Sequence, residues 1–248
     1  MTDQRCAVKT IGLYKVFAPQ AYGAAPVVAL KNVSIEIPEG SLTVVGGANG
    51  SGKSVLMAII AQLMKPTEGT CLTSEKPGLV FQEAATQILG DTPEEDVAVG
   101  PRNQKINKKE IPGIVSQALA DVHLAGKADF PSHLLSGGEK RRLCVASILA
   151  MKRNILIFDE PYANLDYPGV CDVNALITQL HKQKKTIIIL THELEKCLAL
   201  ADRFIILHEG SVVFDGIPEA ALSQDLSQWG IRNPLVSYHS LSDLVWKS

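Results

Sequence analysis

Residues 41–54 read Ser41-Leu42-Thr43-Val44-Val45-Gly46-Gly47-Ala48-Asn49-Gly50-Ser51-Gly52-Lys53-Ser54. Ser41 to Val45 reads as a strand buried on both faces, short and rich in β-branched residues. Gly47 to Ser54 then matches the pattern Gly-x-x-x-x-Gly-Lys-Ser/Thr. Ser54 to Met64 reads as a helix closed by Lys65-Pro66. Strand, glycine-rich loop and helix in that order make an anion cradle. Glycines let successive backbone N–H groups turn into one concavity, and the helix N-terminus adds its positive dipole end. Lys53 places a cation against the β- and γ-phosphates of a nucleotide, and the Ser54 hydroxyl is a hard oxygen ligand suited to Mg²⁺. A chance match in 248 residues has odds of about one in a hundred.

Two more buried strands share this arrangement. Asn154 to Phe158 ends in Asp159-Glu160, and Thr186 to Leu190 ends in Thr191-His192. Unbroken β-branched runs separated by helices predict an α/β fold with a mostly parallel sheet. Polar residues just past the strand C-termini mark where such sheets build ligand sites. Val27 to Ile37 reads as strand-rich and predicts an antiparallel N-terminal β lobe. Phe204 to Leu207 and Val212 to Phe214 read as a hairpin. Asp91 to Pro131 is polar with helical stretches and reads as a separate helical lobe.

Composition narrows the class. The 248 residues, 26.7 kDa, fit one large domain or two small ones. Lys plus Arg number 24 against 26 Asp plus Glu, for a net charge of -2, which argues against binding nucleic acid through bulk charge. The five cysteines are odd in number and lack metal-ligand spacing, as reduced, mostly buried thiols would. No apolar run approaches the roughly 20 residues that span a bilayer. Met1 to Arg5 lacks the apolar core of a secretion signal, so the chain is expected on the cytoplasmic side.

The acid pair after the second strand suggests hydrolysis. Adjacent strand residues point to opposite sides, so the two carboxylates can take two roles. Asp159 is suited to hold Mg²⁺ through water, and Glu160 to polarise a water that attacks the γ-phosphate.

Leu135-Ser136-Gly137-Gly138-Glu139-Lys140 precedes a helical run from Arg141 to Met151. It resembles the signature sequence, LSGGQ, of ATP-binding cassette (ABC) ATPases, with Glu139 at the last position. A P-loop fold with a helical signature subdomain follows from the resemblance. In that family the signature completes the ATP site of a second protomer, so Ser136, Gly137 and Gly138 are expected to cap a γ-phosphate across a dimer. The remaining motifs fall in the family's order. Gln82 matches the Q-loop glutamine, which touches Mg²⁺. Ala163 to Asp166 resembles the D-loop, and His192 the switch histidine. Phe17 aligns with the aromatic that stacks on adenine, with Tyr14 and Tyr22 as rivals. The P-loop residues Gly47, Ala48, Asn49, Gly50, Ser51, Gly52, Lys53, Ser54 and Val55 are expected to bind ATP. Val55 stands where the family usually has Thr, so one side-chain contact to phosphate is lost. The stretch from Gly69 to Gln82 is shorter than in most cassettes, so the β lobe is expected to lack a hairpin.

Val80-Phe81-Gln82, Gln87 and the run Thr92-Pro93-Glu94-Glu95-Asp96-Val97-Ala98-Val99-Gly100-Pro101 resemble the ATPases of energy-coupling factor importers, a group that includes cobalt and nickel uptake ATPases. The resemblance implies a second ABC ATPase protomer, a transmembrane coupling protein and a small substrate-binding membrane protein at the cytoplasmic face of the cell membrane. Asp91, Glu94, Glu95 and Asp96 are expected to receive arginines of the coupling protein. Domain bounds are expected at 1–222 for the ATPase, with a helical subdomain at about 87–150, and at 223–248 for a short appendage resembling the start of that group's C-terminal extension. The rival readings are a soluble ABC ATPase of iron–sulfur cluster assembly and an ATPase of another ABC transporter class.

Overall fold

In the computed structural model, residues 5–19 and 25–241 are described. Six strands form the main sheet: β4 (Leu42–Gly46), β6 (Gly78–Val80), β7 (Ile155–Asp159), β8 (Thr186–Leu190), β9 (Arg203–His208) and β10 (Ser211–Gly216). The order is β10-β9-β4-β8-β7-β6, parallel throughout except for β10, which pairs antiparallel with β9 as the expected hairpin. The other sheet joins β1 (Cys6–Phe17) to β2 (Val27–Val33), β3 (Glu36–Pro38) and β5 (Glu68–Thr73), all antiparallel. Of the two strands in the shortened stretch from Gly69 to Gln82, only β5 joins the β lobe while β6 joins the main sheet, in line with the missing hairpin.

The main sheet is apolar on both faces because both are covered. Leu156 and Phe158 of β7 join one core with Ile187 and Ile189 of β8, while Ile155, Ile157, Ile188 and Leu190 join the other. The period of two sends alternate side chains into two separate layers. The first core is closed by α2 (Pro93–Asn103), α3 (Ile111–Asp121), α4 (Gly137–Ala150) and α5 (Tyr167–Lys182). The second is closed by α1 (Lys53–Ile60) and the β lobe. A short helix, α6 (Pro218–Leu222), follows β10. Beyond it, Leu226 and Ile231 are buried in the first core, so this part of the C-terminal appendage packs onto the cassette.

Two helices depart from the expected bounds. Helix α1 ends at Ile60, a turn before Met64, because Ala61 caps it and Gln62 takes a left-handed φ of 62°. Helix α4 begins at Gly137, four residues before Arg141, because Ser136 caps it and Glu139 closes a reciprocal box.

Asp96 corrects the acidic docking cluster. It is buried, and Oδ1 accepts from the Leu89 and Gly90 N–H groups at 2.7 and 3.1 Å. Its Oδ2 accepts from the Ser147 hydroxyl at 2.7 Å. Asp96 therefore ties the Q-loop's far end to α2 and α4 and is unavailable to a partner's arginine. Asp91, Glu94 and Glu95 remain exposed. Asp96→Ala leaves the Leu89 and Gly90 amides without their acceptor, while the Ser147 hydroxyl keeps the Leu143 carbonyl. It is expected to cost about 2–4 kcal/mol in urea unfolding, while Glu94→Ala changes stability by less than about 0.5 kcal/mol.

Candidate functional site

Strands β4, β8 and β7 lie side by side, with Val45 opposite Leu190 and Leu190 opposite Asp159. Their C-terminal ends thus align, and the loops that follow meet at one edge of the sheet. The first loop is the glycine-rich one. A Cβ on Gly47 would lie 2.3 Å from the Leu207 carbonyl oxygen, and one on Gly52 would lie 2.6 Å from the Ala29 carbonyl oxygen. Both have positive φ, 149° and 103°, so the loop follows this path only with glycine. Inside the curl, the buried Lys53 ammonium donates to the Gly47 and Ala48 carbonyls at 2.7 and 3.1 Å. Burial lowers the Lys53 pKa below the usual amine value, against the pull of Glu160 and Asp159.

Asp159 and Glu160 follow at the end of β7. Burial pushes the Asp159 carboxyl above its usual range. The Glu160 charge pushes it the same way, and Lys53 draws it back. Glu160 is buried and takes a left-handed φ of 45°, uncommon for a residue with a Cβ. Its N–H is held by the Leu190 carbonyl at 2.8 Å. Its carboxylate accepts from the buried Thr191 hydroxyl at 3.0 Å and lies 3.0 Å from His192 Nδ1. The strained backbone is therefore fixed from the neighbouring strand, and the carboxylate is oriented by two groups of the third loop. His192 falls in a motif of the sequence, whereas Thr191 does not. Its only signal there is a hydroxyl residue at a strand end beside the histidine.

A cleft of about 490 Å³ brings together Asn49, Gly50, Gly52, Lys53, Ser54, Val55, Gln82, Asp159, Glu160 and His192. A serine hydroxyl, an amide and a carboxylate are hard oxygen donors for Mg²⁺. No group of three or more metal-binding His, Cys, Asp or Glu is found among the described residues. Val27, Val28 and Ala29 close the other side of the cleft. Phe17 does not line the cleft but pairs with Val27, which does, whereas Tyr14 pairs with Glu68 on the opposite edge of β1. Tyr22 lies outside the described residues.

Ser136, Gly137 and Gly138 do not line this cleft. They form the N-terminus of α4, where the Ser136 hydroxyl accepts from Glu139 N–H at 3.2 Å. The Glu139 carboxylate accepts from Ser136 N–H at 2.9 Å and pairs with Lys127 at 2.6 Å. Lys127 and the Ser136 amide hold the Glu139 carboxyl below its usual pKa. The Glu139 variant of the signature thus serves as a cap. The second turn of α4 carries Arg141, whose buried guanidinium donates to the Gln82 carbonyl at 3.0 Å, a contact between signature helix and Q-loop with no motif in the sequence to announce it.

The chain belongs to the ABC transporter family: residues 30–163, just over half of it, match the family described as ABC transporter. It is an ATP-binding and ATP-hydrolysing cassette of that family. Within the family it resembles the ATPases of energy-coupling factor and cobalt importers. The energy-coupling factor transporter ATP-binding protein EcfA2 of Methanospirillum hungatei is 39% identical over 251 residues. The match covers 88% of this chain and 63% of that protein, so the chain spans just under two thirds of the relative's length. The structure of cbiO1 from Clostridium perfringens, described as part of the ABC transporter complex cbiONQ, superposes with a TM-score of 0.78 at 30% identity, covering 88% of this chain and 91% of that one. A dimeric ATP-binding cassette in a post-hydrolysis state, bound to ADP and Pi, superposes with a TM-score of 0.74 at 28% identity, covering 85% and 98%.

Gly47→Ala drives a methyl into the Leu207 carbonyl. Equilibrium dialysis with ATP is expected to show at least about a tenfold loss of affinity, and thermal unfolding a loss of about 1–3 kcal/mol.

Proposed function

We propose that this cassette is the ATP-driven subunit of an energy-coupling factor type importer, whose substrates as a group are vitamins or transition-metal ions. The observation that carries the chemistry is the convergence of Lys53, Asp159, Glu160 and His192 on one cleft at the end of three parallel strands. The P-loop amides and Lys53 hold the β- and γ-phosphates. Before ATP arrives, Lys53 is neutralised only by carbonyl dipoles and by two nearby carboxylates, and the incoming phosphate replaces those carbonyls as its partner. Ser54, Gln82 and Asp159 hold magnesium, which supplies charge neutralisation of the phosphates. Phe17 stacks on adenine. Glu160 takes the proton of the attacking water, and the Thr191 hydroxyl aims its carboxylate. His192 contacts the γ-phosphate from the opposite side of Glu160's hydrogen bond.

The signature residues Ser136, Gly137 and Gly138 stand apart from the chain's own cleft and present a capped helix N-terminus outward. They suit the γ-phosphate of a second protomer, identical or similar, so that two ATP molecules lie between two cassettes. Closure on ATP and reopening after hydrolysis then move a membrane partner. No helix among the described residues is long and apolar enough to cross a membrane, so the translocation path falls to other subunits. Their docking place is the groove between α2 and α3, about 830 Å³, whose rim carries Thr92, Glu94, Glu95 and Asp129 and also two cations, Arg102 and Lys108. Cytoplasmic arginines of a coupling protein fit that rim. The association is peripheral, on the cytoplasmic face of the membrane, and involves no nucleic acid.

Lys53→Ala is expected to abolish detectable ATP binding. Glu160→Gln is expected to keep ATP binding but to slow hydrolysis by about 10² to 10⁴ and to trap an ATP-bound dimer, visible by size-exclusion chromatography. Wild-type turnover in Glu160→Gln would remove the general-base assignment. For the partner, charge reversal at Glu94 and Glu95 is expected to release the cassette from a membrane complex isolated by tagged pull-down. An intact complex after both changes would rule out the acidic groove as the docking place.

A further inference from the structure

The loop that follows Glu160 buries a tyrosine that has no place in the chemistry described above. Tyr162 is fully buried, and its hydroxyl donates to Asn174 Oδ1 of α5 at 2.8 Å. Asn174 Nδ2 in turn donates to the Lys196 carbonyl at 2.7 Å. Lys196 lies in the turn after His192, where its ammonium pairs with Glu193. Cys197, next in the chain, is buried as well. The backbone closes the circuit at each end. Ala163 N–H donates to the Glu160 carbonyl at 3.2 Å, and Glu193 N–H donates to the Thr191 hydroxyl at 3.0 Å. That same Thr191 hydroxyl donates to the Glu160 carboxylate.

Two loops from two strands are thus joined twice. They meet once at the carboxylate, through Thr191 and His192, and again some residues downstream, through Tyr162, Asn174 and the Lys196 carbonyl. A single joint lets the two loops swing about it, whereas a second joint removes that freedom. The need for it is local: Glu160 holds a left-handed backbone, and such strain persists only where surrounding contacts over-determine it.

We propose that Tyr162 is a positioning residue. Through Asn174, its hydroxyl locks the loop after Glu160 to the loop bearing His192, keeping the Glu160 carboxylate aimed at the attacking water. This rests on the general-base reading of Glu160.

The test uses the purified full chain, with steady-state ATP turnover, equilibrium ATP binding and single-turnover hydrolysis of radiolabelled ATP. Tyr162→Phe keeps the ring and removes one hydroxyl, and Asn174→Ala cuts the same link from a half-buried side chain, which carries the test should Tyr162→Phe fail to fold. Each is expected to lower kcat about tenfold, with KM and ATP affinity within about twofold of wild type. The double variant is expected to be no slower than either single one. In the Glu160→Gln background, Tyr162→Phe is expected to add no further loss, because the group it aims is already gone. A structural role alone would slow both backgrounds alike. Wild-type kcat in both single variants, a rise in KM in place of the fall in kcat, or an undiminished loss in the Glu160→Gln background overturns the proposal. A slow Glu160→Gln with unaffected Tyr162→Phe overturns this proposal alone, whereas a Glu160→Gln enzyme at wild-type rate overturns the general-base reading and this one together.

Discussion

Everything at the site depends on three strands ending at the same level. Val45, Leu190 and Asp159 lie in register across β4, β8 and β7, so the loops that follow start within one or two strand spacings of each other. Parallel pairing produces this alignment, because strands that run the same way deliver all their C-terminal loops to one edge. Apolar side chains on both faces then hold the register, since a slip of one residue would exchange the two cores. The positions of Lys53, Glu160 and His192 therefore follow from hydrophobic patterning well before any polar contact is considered.

That origin explains what was legible in the sequence. The strands at Leu42, Ile155 and Thr186 are continuous β-branched runs with helices between them, and this pattern has few other physical readings. The P-loop was legible because only glycine tolerates the carbonyls packed against Gly47 and Gly52. Helix ends were less so. Nothing local in Ala61-Gln62 signals that Gln62 turns left-handed, and the Ser136–Glu139 box was hidden beneath the signature motif. Asp96 was misread because an acid at a helix start looks the same whether it faces water or two buried amides. The tertiary ties through Arg141, Tyr162 and Asn174 join segments far apart in the chain, and no spacing rule relates them.

Charge in the cleft is arranged around a burial cost. Lys53, Asp159 and Glu160 all sit where water is scarce, so burial disfavours the charged forms of Lys53 and Asp159. Opposite charges within the cluster restore part of that loss. The residue placed closest to two sources of hydrogen bonding is Glu160, with Thr191 and His192 on its carboxylate.

The capped start of α4 bears on how an anion is received there. A serine hydroxyl has one proton and two lone pairs. In the capping box a lone pair of Ser136 is engaged by the Glu139 N–H, and the Ser136 N–H is engaged by the Glu139 carboxylate. The helix thus uses its serine oxygen as an acceptor, which leaves the hydroxyl proton outside the cap. It also places a negative carboxylate, anchored by Lys127, within the same turn. The Lys127 cation already balances that carboxylate, so the helix start keeps the favourable polarity of its free N–H groups although an acid is part of its cap.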